Sequence, residues 1–418
     1  MIAHLIRGAC PGLSKSMQTG DGLLVRLQPK DTISVDAFIA LCTLARRHGN
    51  GIMEVTARGN VQLRGLSPQS TPELVAAVTE LDVAETCSVP VISDPLPDDP
   101  SALIELGPLV ATLRGAIGAM RLKLAPKVSI VIDDGGRLHL DAIPADIRLR
   151  ALPTVQGSRL HVALGGDARS AASLGVIALN DAVEVVIRLL SVIAKCGSTA
   201  RAASILATDG IAAFRSAAEP RIDPVPGLPP RPSVEPIGQH RLRGDAIVLG
   251  VAPAFGQADA DTLEQLLRVA GSHGARTVRP APGRALLLST FDEDRTAGVL
   301  VAAKQLNFIV NANDPRRRIA ACPGKPACLS GWIPARVVAA TVARELSSNS
   351  GDIDIHISGC AKGCAHPASA RVTIVGGARG YGIIREGSAR AKSLRHIEQE
   401  NLVAEITRAL KLSERSDA

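Results

Sequence analysis

The chain reads as an α+β protein built by internal duplication, in the order A–B–A′–B′. Three observations predict this: two strand–helix–strand segments look like copies, two later strands match each other in the same order, and a proline-rich stretch separates the halves. At 418 residues the chain also exceeds one ordinary core and suggests about three domains.

The first A copy starts at Gly20 with Gly-Asp-Gly-Leu-Leu-Val-Arg-Leu, a strand pattern. A helix follows over Asp36 to His48, with apolar Phe38, Leu41, Cys42 and Leu44 at helical spacing. A strand is expected from Gly51 to Leu66. The first B copy holds the strand Lys127 to Asp133 and a long amphipathic helix over Asp181 to Ala194. Pro220 to Pro236 carries seven prolines, and its stiff extended backbone makes it a linker. The second A copy begins at Arg243, passes through a helix over Asp259 to His273 and ends in the strand Ala285 to Thr290. In the second B copy, Arg371 to Gly376 matches the earlier B strand, and Leu402 to Leu412 supplies the helix. The expected units are 1–75, 76–219, the linker 220–236, 237–312 and 313–418.

Composition narrows the function. Apolar residues make up 46% and charged residues 21%, as in a folded soluble protein. No stretch is apolar for long enough to span a bilayer, and the start, broken by Arg7, does not read as an export signal. A cytoplasmic protein without a membrane or nucleic-acid partner is expected. A net charge of +7 favours acidic partners. Nucleic-acid binders tend to add basic runs and stacking aromatics, but here there are only five Phe, one Trp and one Tyr. A polycarboxylate small molecule fits better.

Four of the eight cysteines fall in two close pairs: Cys322 and Cys328 in Ala-Cys-Pro-Gly-Lys-Pro-Ala-Cys, and Cys360 and Cys364 in Gly-Cys-Ala-Lys-Gly-Cys-Ala-His-Pro. A 31-residue spacer lies between the pairs. Converging thiolates select zinc, copper(I) or an iron–sulfur cluster. Paired zinc ligands usually have two to four residues between them, so the five inside the first pair suit a [4Fe–4S] cube better. Unrelated core thiols are the plainer reading, but both pairs sit in Gly/Pro-rich loops.

Basic and amide side chains also recur. Thr56, Arg58, Asn60, Gln62 and Arg64 share one face if the segment is extended. Its charged members are all donors, and arginine's planar fork suits carboxylates. Arg279 and Arg284 bracket two prolines in the second copy, and Arg26 adds a donor on the opening strand. The solvent face of a half-buried sheet is the bland alternative.

Together, the duplication, Thr56-x-Arg58-x-x-x-Gln62 and the cysteine set resemble the nitrite/sulfite reductase superfamily. Within it, the chain is similar to the precorrin-3B synthase family. The narrower marks are Arg7-Gly8-Ala9-Cys10-Pro11-Gly12, the block Met17 to Arg26, Arg279-x-x-Pro282-x-Arg284, and Gly359 to Pro367. The resemblance implies two ferredoxin-like half-domains packed together plus two α/β domains, the second carrying a [4Fe–4S] cluster on Cys322, Cys328, Cys360 and Cys364. It implies O2-dependent hydroxylation of precorrin-3A at C20 with γ-lactone formation, a monooxygenase step of aerobic cobalamin biosynthesis. It further implies a mononuclear non-haem iron whose ligands are not identified, and no sirohaem. The macrocycle would occupy the place that sirohaem takes in the reductases, held by Arg26, Thr56, Arg58, Gln62, Arg64, Arg279 and Arg284. Lys127 and Asn60 would be catalytic.

Two departures count against the alternative, a sirohaem nitrite or sulfite reductase. Val128 and Ser129 follow Lys127 where the reductases place another basic residue, and Thr86 to Leu96 lacks their arginine. Gly377-x-x-Gly380-x-Gly382 reads as a hairpin turn, not a nucleotide loop, so electrons from NADH are expected through a separate protein. His366 is expected to support the cluster loop, while His139, His161 and His240 are expected to be structural. Cys10 repeats the Ala-Cys-Pro-Gly setting of Cys322 and is expected to be a structural thiol.

Overall fold

In the computed structural model, which describes residues 11–414 except 87, 97, 121, 156, 292 and 347–352, the duplication is visible strand by strand. The first half-domain sheet runs Met17–Thr19, Gly22–Leu27, Val61–Leu66, Ile52–Val55 and Gln257–Asp259. The second runs Gly238–Arg241, Ile247–Val251, Ala285–Phe291, Thr277–Ala281 and Ile33–Ser34. Each sheet therefore ends on a strand taken from the other half. Asp259 pairs with Ile52, and Ser34 pairs with Thr277.

The helices Val35–His48 and Ala260–Ser272 cover these sheets. Phe38, Leu41 and Cys42 of one, and Leu263, Leu266 and Leu267 of the other, share a single hydrophobic core that includes strands of both halves. Ser34 starts the first helix by accepting the Ala37 N–H at 3.1 Å, and Asp36 lies in its first turn, where the helix dipole favours an acid.

The two α/β units repeat one another as well. Val91–Ser93, Ile130–Asp133 and Ala145–Thr154 are parallel, and Gly157–Gly166 and Ala172–Ala178 return antiparallel. Ile319–Ala321, Ile355–Ser358 and Ala370–Gly377 are likewise parallel, with Gly380–Gly387 and Arg395–Ile397 antiparallel. The helices Ala182–Lys195 and Leu402–Glu414 contribute to the two separate cores. The predicted glycine hairpin closes at Gly377 and Gly380.

Two expectations require correction. Gly51 to Leu66 is not one strand: Ile52–Val55 and Val61–Leu66 form a hairpin closed at Val55 and Val61. Gly59, at φ +78°, lets the chain reverse, and the Thr56 hydroxyl accepts the Asn60 N–H at 3.0 Å. Thr56, Arg58 and Asn60 thus belong to a loop, and only Gln62 and Arg64 keep the strand alternation. Lys127 lies in an exposed turn before the strand Ile130–Asp133 instead of opening it. Among the described residues no helix is long and apolar enough to cross a membrane.

Candidate cluster site and anion cleft

Ile319–Ala321 and Ile355–Ser358 are neighbouring parallel strands, with Ala321 opposite Ile357. Parallel strands end on the same edge of a sheet, and ligand loops of α/β folds leave from that edge. Cys322 follows the first strand directly, and Cys360 follows the second after one glycine. The Gly359 N–H donates to Cys322 Sγ at 3.1 Å. The Trp332 N–H donates to the Gly359 carbonyl at 2.8 Å, and Lys325 N–H to the Ile333 carbonyl at 2.8 Å, knitting the two loops together. Burial raises the Cys322 thiol first, then its neighbours Cys328 and Cys364; burial also leads for Cys364, followed by Cys360 and Cys328. Cys322 thus lies within electrostatic reach of Cys328 and Cys364, and Cys364 within reach of Cys360 and Cys328.

The donor set fits a [4Fe–4S] cluster. Four thiolates brought by two loops to one edge of a sheet suit a multi-iron centre with a thiolate at each corner.

The first half-domain braces this loop. Gly20 N–H donates to the Ala327 carbonyl at 3.1 Å, and a Cβ on Gly20 would lie 2.0 Å from the Pro326 oxygen. Arg64 forks onto Asp21 at 3.0 and 2.9 Å and donates its Nη2 to Ala327 at 2.6 Å. Glu54 lies beside Arg64 and accepts from Arg336 at 2.7 Å. Burial works to raise the Glu54 carboxyl, but the Arg336 and Arg64 guanidiniums prevail and hold it below the ordinary value. Gln62, oriented to satisfy both sides, donates to Glu54 at 2.8 Å and accepts from Arg26 Nε at 2.8 Å. Gln62 and Arg64 thus meet protein partners, and Arg64 works as a brace of the cysteine loop.

Three of the predicted donors converge elsewhere. Arg58, Asn60 and Arg279 line an open cleft, joined by Lys30 and Arg114, which the sequence pattern did not single out. Arg279 donates to Asp31 at 3.1 Å and to the Ser93 hydroxyl at 3.0 Å. Asp31 also accepts from Arg114 at 2.8 Å; burial opposes its ionisation, but Arg279 and Arg114 hold its carboxyl below the usual value. Asp31 thus faces two guanidiniums, while Lys30 also pairs with Asp82 and Arg114 with Glu85 at 3.0 Å. Arg58 also reaches the first α/β unit, donating to the Pro144 carbonyl at 2.8 Å and to the Ser129 hydroxyl at 3.4 Å.

Cleft and cysteines are connected. The hairpin loop of the first half crosses its counterpart in the second through the Arg58–Pro282 bridge and the Gly283 N–H to Ala57 carbonyl bond of 3.1 Å. Two residues beyond Pro282, Arg284 takes φ +61° and donates Nη2 to the Ala365 carbonyl at 2.7 Å, next to Cys364. Burial, then Arg317 and Arg336, bring the Arg284 guanidinium down to about 10. A desolvated cation among cations is a strong seat for a carboxylate. Lys127 acts on Cys364 electrostatically, together with Lys362.

Among the histidines, His139 meets the Pro232 carbonyl, His161 the Ser173 hydroxyl and His240 the Pro236 carbonyl, as structural imidazoles do. His366 bonds the Ser369 carbonyl within its own loop. His356, which the sequence reading passed over, is fully buried with neither ring nitrogen hydrogen-bonded and meets His366 edge-on at 5.8 Å. Burial first, then His366 and Arg284, push it to about 3, so it stays neutral. Its place in the strand Ile355–Ser358 gave no polar signal. Cys10 lies outside the described residues.

Comparison with known proteins matches these features. Residues 15–81 match the family described as the nitrite/sulfite reductase ferredoxin-like half domain. The chain is 37% identical over 420 residues to a precorrin-3B synthase of Sinorhizobium sp, covering 97% of this chain and 89% of that protein. It is 27% identical to sulfite reductase [ferredoxin] 2 of Mycolicibacterium paratuberculosis, over 43% of this chain and 35% of that one. Among solved structures, the NirA protein of Mycobacterium tuberculosis superposes with a TM-score of 0.75 at 20% identity, over 93% of this chain and 80% of that one, a likeness of fold.

Proposed function

The chain belongs to the precorrin-3B synthase family, and from that premise we propose that it hydroxylates precorrin-3A at C20 with γ-lactone formation, in the aerobic route to cobalamin. The single observation that supports this most is the unbroken path from the cleft to the cysteine loops. It runs from Arg58 through Pro282 and Arg284 to Ala365 and Cys364, at a junction to which both half-domains and both α/β units contribute.

In this reading Arg58, Arg279 and Arg284 hold the carboxylates of the macrocycle and fix its orientation, Asn60 keeps its catalytic place beside Arg58, and Lys30 and Arg114 complete the cleft. Orientation matters because a displaced macrocycle would be oxidised at another carbon. Thr56 shapes the loop that presents Arg58, with Arg26, Gln62 and Arg64 as the scaffold beneath it. Lys127, exposed and within electrostatic reach of Cys364, is placed to hold a proton or an anionic group on that side of the site. Insertion of one oxygen atom of O2 consumes two electrons and two protons and releases water with the product. A [4Fe–4S] cluster on Cys322, Cys328, Cys360 and Cys364 supplies electrons one at a time when bound, and NADH reaches it through a separate donor protein.

A mononuclear iron of the oxygenase kind favours two imidazoles and a carboxylate with open positions. Among the described residues no such set converges, and the site residues do not fit that second iron. No step is assigned to it.

Incubation of the anaerobically purified protein with precorrin-3A, a reductant and labelled O2 tests the assignment. One labelled oxygen atom in a lactone-bearing product is expected. Unchanged precorrin-3A, or an intense sirohaem band with sulfite or nitrite turnover instead, overturns it.

A further inference from the structure

We propose that the face of the second α/β unit that carries the cysteine loops is the docking surface for a small, acidic iron–sulfur carrier protein. The inference rests on the oxygenase reading, in which electrons enter through the cysteine site. Positive charge is concentrated on this unit. Residues 313–418 hold sixteen Lys and Arg against ten Asp and Glu, six of the chain's seven net positive charges. The other three units and the linker together are nearly neutral. A positive field confined to one unit steers an acidic partner to that unit.

The excess is sharpest around the cysteines, where three segments meet. Residues 322–337 and 360–368 contain the four cysteines, and 388–394 lies alongside. Lys362 Nζ donates to Ser330 Oγ at 3.2 Å, joining the first two segments. A Cβ on Gly363 would lie 3.2 Å from the Ala389 Cβ, which brings in the third. The three segments hold five basic residues and no carboxylate. Arg336 is committed to Glu54, while Lys325, Lys362, Arg390 and Lys392 are all exposed.

Exposed apolar side chains gather in the same segments. Among the described residues eight large apolar side chains are exposed, and four of them, Leu329, Trp332, Val337 and Leu394, fall here. Trp332 is the chain's one tryptophan and is 58% exposed, although its N–H is anchored on the Gly359 carbonyl at 2.8 Å. Tryptophan is enriched at the centres of protein interfaces, inside a polar rim. Cys364 also reaches the surface, so a carrier seated here lies against the cysteine site. In that complex one electron leaves the carrier's reduced iron–sulfur centre, which is oxidised, and reduces the cluster on the cysteines; no bond is made or broken. A second copy of this chain is a poor occupant, because pairing two such faces would set like charges together.

The test uses the full-length, cluster-loaded protein and an acidic [2Fe–2S] ferredoxin as the probe. Calorimetric titration with oxidised ferredoxin should show one-to-one binding that weakens as salt rises to about 0.5 M, where screening is nearly complete. Trp332→Ala should weaken binding about 30-fold, the level of an interface hot spot. Lys392→Glu should weaken it about tenfold at low salt and hardly at high salt. Lys195→Glu, the same charge change on an exposed residue of the first α/β unit, should bind as the wild type does. Stopped-flow reduction of the cluster by reduced ferredoxin should slow in the first two variants, while reduction by dithionite stays unchanged. Absent or salt-insensitive ferredoxin binding, or wild-type affinity in both Trp332→Ala and Lys392→Glu, overturns the proposal. So does Trp332-dependent binding to anionic phospholipid vesicles in place of ferredoxin, or a sedimenting dimer that Trp332→Ala breaks. Precorrin-3A left unchanged by the dithionite-reduced wild type overturns the oxygenase reading instead, whatever the ferredoxin titration shows.

Discussion

Arg58 and Arg64 share one hairpin and have different work. Arg58 stands at the cleft, held by Pro144 and Ser129, while Arg64 is spent on Asp21, Glu54 and Ala327. Arg58→Ala should weaken precorrin-3A binding by about 10–150-fold, the equivalent of a charge-assisted hydrogen bond of roughly 1.5–3 kcal/mol. The cluster absorption should be unchanged, and equal affinity in a titration of the variant would remove Arg58 from the site. Glu54→Gln tests the brace. Its carboxyl is depressed by Arg336 and Arg64 against the effect of burial, so its stabilisation is full above the ordinary carboxylate value and is lost as pH falls through the lower folded value. The variant should lose about 3–5 kcal/mol near neutral pH. Its melting temperature should then fall less steeply than the wild type's in the acid range, and parallel acid limbs would contradict the pairing. Residue type was legible in the sequence, since both arginines stood out as donors. Their partners were not: Asp21 lies 43 residues from Arg64, and no local spacing reports such a meeting.

Loops carry the site, and their glycines decide where it sits. A Cβ on Gly20 would meet the Pro326 oxygen at 2.0 Å, whereas one on Gly12 would meet nothing within 4 Å. Gly20→Ala should therefore push the Cys322–Cys328 loop away and lower the iron and sulfide bound per chain, while Gly12→Ala leaves both intact; elemental analysis of the purified variants decides. The cysteine pairs were legible because thiol chemistry and spacing are local properties, and the sheet explains them by ending two parallel strands side by side. The hairpin at Thr56 to Asn60 was misread as strand. A polar alternation looks the same whether the chain runs straight or turns at a glycine, and the positive φ of Gly59 is written only in the fold.

At the level of the whole chain, the duplication was legible, because each repeated unit keeps its apolar pattern. The exchange of Ile33–Ser34 and Gln257–Asp259 between half-domain sheets was not, since strands of two or three residues carry no periodic signal. That exchange and the shared core make the halves interdependent. Residues 1–219 and 237–418, expressed separately, should each be aggregation-prone, because each half-domain sheet is left with an open edge and half its core partner missing. Gel filtration should show that co-expression restores a soluble pair, and a monomeric, cooperatively melting single half would contradict this.

Iron and sulfide counting on anaerobically purified protein, with low-temperature EPR after reduction, tests the central claim most directly. About four irons and four sulfides per chain and a reduced-cluster signal are predicted, both lost in Cys322→Ser and in Cys364→Ser. Zinc in place of iron, or a cluster that survives either substitution, would contradict the account.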